Sequence, residues 1–201
     1  MPTRPSLPSL LSTSPRAKGA LPGDLAMWCF ILAELLVFGI LFLSYAITRA
    51  SNVALFNASQ LQLDRSSGFI NTLILVTSSY FVVRAVAAIQ SGRGKNCARW
   101  LVAAIVCGAF FVVLKWIEFV GKYQAGITMS TNTFFMFYLF LAFFHFMHVI
   151  LGMIILGSVA LKAWQGGYAH DDYDGVETGA AYWHMVDLVW IILFPLIYVL
   201  H

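Results

Sequence analysis

Charged side chains are scarce in this chain. Asp, Glu, Lys and Arg make up 10% of its 201 residues, against about 25% in soluble domains, which excludes a water-soluble globule. Cysteine is equally sparse: Cys29, Cys97 and Cys107 stand alone, with no CxxC or CxxCH pattern, so c-type haem attachment and ordinary zinc ribbons are excluded. Two of these thiols fall in apolar stretches and Cys97 in a loop between them, and all three are expected to be packing residues. GxGxxG, Walker-type GxxxxGK and GxSxG patterns are missing, as is any repeat of fixed period. Phosphate-cradling loops, the serine nucleophile elbow and solenoids are thereby set aside. The net charge of +3 comes without a dense basic cluster, so nucleic acid is not an expected partner.

Apolar length is what the chain has in abundance: 60% of its residues are hydrophobic and 15% aromatic. Five stretches, about 25–47, 69–89, 100–120, 134–161 and 180–200, approach the roughly 20 residues that cross a bilayer as helix. The runs are continuous and not alternating, which favours helices over barrel strands, and a helix satisfies its own backbone in lipid. The expectation is an all-α, polytopic membrane protein of five transmembrane helices over residues 23–201. Residues 1–22, rich in Pro and Ser, read as a disordered cytoplasmic tail and lack the apolar core of a removable signal. Lys and Arg in the flanks (Arg4, Arg16, Lys18, Arg93, Lys95, Arg99 and Lys162 against Arg49, Arg65 and Lys122) place the N-terminus in the cytoplasm and the C-terminus in the periplasm. The acidic loop with Asp171, Asp172, Asp174 and Glu177 pulls the other way but carries little weight in that rule. Extramembrane segments are too short to fold as a catalytic domain, so any chemistry lies among the helices.

Glu34 is the first residue to explain, because a carboxyl near mid-bilayer depth costs roughly 2.5–3.5 kcal/mol to insert and needs a partner or a task. It is either a protonatable group in a proton path or beside a cleft, or a neutral acid hydrogen-bonded to another helix. His145 and His148, three apart on one helix face, can share a metal with ligands such as His184, Asp187, Glu34 or Glu118, or can simply bond neighbouring helices. The five histidines include His170 in a loop and His201 at the terminus, too few for an oxygen-reducing haem-copper centre. His184 and Asp187, also three apart, form either a proton relay or a neutralised pair pinning two helices. Lys115 and Glu118 read as a mutually neutralised pair reaching toward the interface, and Arg84 as a snorkelling cation for a lipid phosphate. Trp28, Trp100, Trp116, Trp164 and Trp183 are expected in the interfacial belts.

Several segments together resemble the subunit III family of haem-copper oxidase complexes. Ile31-Leu32-Ala33-Glu34-Leu35-Leu36-Val37-Phe38 is similar to the segment bearing that family's carbodiimide-reactive carboxylate. Asn71-Thr72-Leu73-Ile74-Leu75 with Thr77-Ser78-Ser79, Phe144-His145-Phe146-Met147-His148-Val149, and Trp183-His184-Met185-Val186-Asp187-Leu188-Val189-Trp190 resemble its later helices in family order. Lys115-Trp116-Ile117-Glu118-Phe119, the Ala125-Gly126-Ile127-Thr128 loop and Trp183-His184-Met185 look more like the NorE-type branch associated with bacterial nitric oxide reductase. The standard oxidase pattern has Glu-Tyr followed by a histidine at the first place and Thr-Gly at Ala142-Phe143.

The resemblance implies a non-catalytic subunit of the bacterial inner membrane that binds no haem or copper itself. It implies helices in two groups around a cleft holding phospholipid, and a catalytic partner, a nitric oxide reductase or haem-copper oxidase subunit, that carries haem and non-haem metal. Supporting assembly or sustained turnover would be its role. A small proton channel through Glu34, His184 and Asp187 is the competing expectation, although the inverted repeats common in transporters are missing. An intramembrane metalloenzyme on His145 and His148 is the third.

Overall fold

The structure is a computed structural model and describes residues 25–168 and 173–200. The expected tail, His170, His201, Asp171 and Asp172 lie outside the described residues. Among the described residues the chain is wholly helical: α1 (Leu25–Ser51), α2 (Val53–Gln60), α3 (Arg65–Gln90), α4 (Gly94–Gln124), α5 (Thr133–Trp164) and α6 (Asp174–Phe194), closed by a π-helical turn at Pro195–Val199. Five of these helices are long and apolar enough to cross a membrane. This is a multi-pass membrane protein. The spans run longer than the sequence windows suggest, and α6 begins at Asp174, because polar helix ends continue beyond the apolar stretch. The short α2 was not anticipated, since its polar Asn57, Ser59 and Gln60 hide it from a hydropathy window.

Helices α3, α4, α5 and α6 form a four-helix bundle, and α1 leans on its α5–α6 side. The pattern on α3 shows why. Its buried residues, Gly68, Asn71, Leu75, Ser78, Val82 and Ala85, recur every three or four positions, placing one small and polar stripe inward. Its large apolar residues Phe69, Ile70, Leu73, Val76 and Val83 are exposed, as lipid-facing residues are. Small residues in the seam let backbones approach and leave room for the few polar side chains.

The tightest approach surrounds Trp183 of α6, which is fully buried. A Cβ added at Gly108 of α4 or at Gly152 of α5 would lie 2.8 Å from its ring, so two glycines make the slot that the indole fills. Trp183 is therefore a core wedge and not an interfacial belt residue, contrary to the sequence expectation. Trp116 and Trp164 do remain exposed.

The chain reverses at left-handed glycines. At Gly126 (φ 75°), the amide of Ile127 bonds the carbonyl of Lys122 and that of Gly126 bonds Tyr123, closing α4 in a Schellman motif. Asp64 and Asn132 cap α3 and α5 by accepting from the amides of Ser66 and Phe135, the role their short side chains suit. Helix α2 is tied to this same end of the molecule. Gln60 donates to the Ile197 carbonyl of the π-helical turn, Asn132 donates to Ser59, and Lys122 donates to the Gln62 carbonyl.

Only three residues of α1 are buried: Ile31, Phe38 and Tyr45. Their spacing of seven makes a single narrow seam. Phe38 meets Phe144 and His148 with ring centroids 5.1 and 5.3 Å apart, and Tyr45 meets Phe56 and Phe137 at 5.3 and 5.8 Å. Helix α1 thus stands against the α3–α6 bundle along this one seam. Between them lies a cleft of about 600 Å³, lined by Ile31 and Leu35 of α1, Val83 and Ala87 of α3, and His184 and Leu188 of α6.

Replacing Gly152 by Ala should destabilise the bundle by about 1–3 kcal/mol, the range for overpacking a filled core. The Gly157→Ala control, where nothing lies within 4 Å of the added Cβ, should leave the detergent thermal midpoint unchanged. Equal midpoints for the two variants would show that the Trp183 slot has slack.

Candidate functional site

The polar residues singled out from the sequence separate into three clusters. The first lies inside the bundle near its α2 end. Lys115 Nζ donates to Glu118 Oε2 at 2.8 Å and to the Tyr198 hydroxyl at 2.6 Å. The Tyr138 and Tyr198 hydroxyls donate to Glu118 Oε1 at 2.5 and 2.7 Å. The Lys115 ammonium also sits 4.9 Å from the centre of the Trp190 ring. The carboxylate thus accepts three hydrogen bonds, and the ammonium has an anion, a hydroxyl and a π-face around it.

The two charged side chains are 1% and 8% exposed. This overturns the expectation of an interfacial anchor, because the partners of Lys115 are inside the bundle and its stem runs inward to reach them. Tyr138 and Tyr198, which complete the cluster, carried no signal as a pair in the sequence. One hint existed: Tyr138, His145 and Gly152 are seven apart and all buried, marking the seam of α5.

The second cluster joins α1 to α5. His148 Nε2 lies 3.1 Å from Glu34 Oε2, and His148 Nδ1 lies 2.8 Å from the Phe144 carbonyl. A carbonyl only accepts, so Nδ1 carries a hydrogen. Nε2 then either accepts from a protonated Glu34 or donates, as imidazolium, to its carboxylate. In both forms one proton is shared and the pair is neutral overall. Glu34 is partly open, its side chain 19% exposed, at the margin of α1. His148 is committed to this pair and His145 packs between Phe111 and Trp190, at centroid distances of 5.7 and 5.2 Å. The two histidines therefore do not meet on a common ligand. No three His, Cys, Asp or Glu side chains converge as a metal-binding set among the described residues.

The third cluster sits between α3 and α6. His184 Nδ1 is 2.7 Å from the Ser79 hydroxyl, and Trp190 Nε1 donates to Thr72 at 3.0 Å. His184 and Asp187 do not bond each other, contrary to the pinning pair expected from their spacing. His184 turns to α3 and lines the cleft, while Asp187 is 4% exposed with no hydrogen-bond partner on either oxygen. Arg84 is exposed on the α3–α4 side, with its guanidinium 5.3 Å from the Trp100 ring and within 3.5 Å of the Tyr80 hydroxyl. It is not part of the cleft wall.

Comparison with known proteins gives one family. Residues 18–201 match the family model for cytochrome c oxidase subunit III. A cytochrome c oxidase subunit 3 of Synechocystis is 31% identical over 172 residues, 85% of this chain and 72% of its own. That of Thermostichus vulcanus is 30% identical over 177 residues, covering 88% and 86%. A probable cytochrome c oxidase subunit 3 of Rickettsia conorii is 32% identical over 205 residues, covering 93% and 69%.

Lys115→Met should destabilise the protein by about 3–5 kcal/mol, because it leaves Glu118 charged, buried and short of its cation. Adding Glu118→Gln to that variant should recover a good part of the loss, as read by thermal unfolding in detergent. A double variant no better than Lys115→Met would mean that the lysine stem, and not its charge, holds the cluster.

Proposed function

Because the chain belongs to the cytochrome c oxidase subunit III family, we propose that it serves as a non-catalytic accessory subunit of a haem-copper-type respiratory complex in the bacterial cytoplasmic membrane. Its partner is the catalytic membrane subunit, which carries the haem and the second metal. The observation that carries this reading is the closure of the intramembrane charges on one another. Lys115 is consumed by Glu118 and Tyr198, and Glu34 by His148. Such groups pin helices together and are not held open for ligation.

The cleft between α1 and the bundle suits a phospholipid tail. Its walls are apolar side chains, and Trp28, Gln90 and Glu177 stand at one end of it, where a head group would meet the interface. A lipid there would widen the narrow contact that α1 makes with the bundle and so support assembly or sustained turnover.

For the partner, a nitric oxide reductase is favoured by Lys115, by the Ala125-Gly126-Ile127-Thr128 loop and by Trp183-His184-Met185, which resemble the NorE-type branch. The second reading is an oxygen-reducing oxidase, favoured by the names of the relatives.

Affinity capture of the chain in mild detergent should recover a haem protein, identified by its visible spectrum. Consumption of nitric oxide or of oxygen by the recovered complex then separates the two readings, and recovery of the chain alone counts against both. Within that complex, Glu34→Gln should preserve assembly, since an amide can still donate to His148 Nε2. It should alter sustained turnover or carbodiimide sensitivity. A variant equal to the parent in both assays would reduce Glu34 to a link between α1 and α5.

A further inference from the structure

Arg49, in the last turn of α1, has no anion to face. It follows directly on the apolar run that closes at Ile47 and Thr48, the depth at which lipid phosphates border the hydrocarbon. Its side chain makes one hydrogen bond, from Nη2 to Asn57 Oδ1, and that bond is long at 3.4 Å. Its Nε is buried without an acceptor. The ion pairs among the described residues are Lys115 with Glu118 and His148 with Glu34, and neither includes Arg49. A guanidinium is always charged and presents five N–H donors in a fixed fork, so one distant amide oxygen leaves most of its capacity unused.

Apolar walls stand beside this cation. Arg49 lines a groove of about 330 Å³ with Ala46 and Ala50 of α1, Val53 of α2, and Leu196 and Leu200 at the C-terminal turn. Among the described residues it is the one charged group in that lining. The turn is anchored from within, because Gln60 of α2 donates to the Ile197 carbonyl and the Tyr198 hydroxyl donates to Glu118. Groove and cleft lie at opposite ends of α1, with Arg49 at one and Trp28 at the other. Their charge is opposite too, since Glu177 is the one Asp, Glu, Lys or Arg lining the cleft among the described residues. A lone cation at the rim of an apolar groove, at the bilayer boundary, is complementary to an anionic head joined to an acyl chain.

We propose that the groove beside Arg49 binds an anionic phospholipid, in the leaflet opposite the one whose head groups meet the mouth of the cleft. The guanidinium donates paired N–H bonds to the phosphodiester, the geometry in which arginine recognises phosphate. One acyl chain lies along Val53, Leu196 and Leu200. A net negative head such as that of phosphatidylglycerol is favoured, because the ammonium of phosphatidylethanolamine offsets the attraction of the phosphate for the cation. Bound there, the lipid bridges the α1–α2 junction and the C-terminal turn, which carries Tyr198 into the Lys115 cluster. It clamps the end of α1 that lies farthest from the cleft mouth. The site depends neither on the accessory role nor on a lipid in the cleft.

The test is native mass spectrometry of the full-length chain, released from detergent micelles and titrated with phosphatidylglycerol or phosphatidylethanolamine. The parent should bind phosphatidylglycerol more tightly than phosphatidylethanolamine. Arg49→Gln should weaken phosphatidylglycerol binding by about tenfold or more, the loss expected when a hydrogen bond to a charged group is removed, and should abolish the preference. Arg49→Lys should fall between the two, since it keeps the charge and loses the fork. Ala50→Trp fills the groove from an exposed position and should weaken the lipid with the cation intact, so it reads the same site should Arg49→Gln fail to fold. Leu188→Trp fills the cleft instead, and Arg99→Gln removes an exposed cation of α4 outside the groove. Both should keep the parental preference, which separates this site from the cleft and from general surface charge. Equal binding by the parent and Arg49→Gln, or equal affinity of the parent for the two lipids, would overturn the proposal. So would displacement of the lipid by millimolar inorganic phosphate, which would mean that the groove holds no acyl chain.

Discussion

A lysine ammonium buried inside a membrane-spanning bundle is tolerated only where the protein itself replaces water around it. Lys115 meets that condition with one carboxylate, one phenol and one indole face, drawn from α4, α6 and the turn that follows α6. Tyr138 of α5 closes the circuit on the carboxylate. Three bundle helices and the C-terminal turn are thus fixed at one depth by a single buried pair. Replacing such a pair by apolar side chains is often neutral or stabilising in other proteins. Its value here is in position more than in energy, since each partner is usable only where the others stand.

The same constraint explains the rest of the interior. Small residues, Gly, Ala and Ser, make up much of the seam of the bundle, and Trp183 is seated in the slot left by Gly108 and Gly152. Apolar attraction between helices is weak when the surroundings are themselves apolar, so close packing and interhelical hydrogen bonds carry the association. Ser78 donating to the Ala104 carbonyl and Trp190 donating to Thr72 are bonds of that kind. Helix α1 has few of them. One neutral pair, Glu34 with His148, and a line of aromatic contacts hold it to α5, and the cleft beside it follows directly from that economy.

Much of the fold was legible in the order of the residues. Five apolar stretches separated by short polar turns fix the number of crossings, and Glu34, Lys115 and Asp187 stand out because charge is so rare around them. Pairings were not legible. Spacing of three on one helix suggested His145 with His148 and His184 with Asp187, yet His148, His184 and Lys115 all find partners on other helices or in the terminal turn. Only for Lys115 and Glu118 does the local pair also form, and there the tyrosines decide that it is buried.

Sequence alone determined that this chain resides in a bilayer as five helices, because hydropathy and length are local quantities that a membrane reads segment by segment. Its likeness to subunit III of the haem-copper oxidases was likewise written in short local patterns. Which face of each helix turns inward, which acid is neutralised by which base, and which one is left buried without a partner were decided by the tertiary structure. Those outcomes depend on rotation and depth of whole helices relative to one another, set jointly by the glycine slots and the Lys115 cluster, and no single segment contains them.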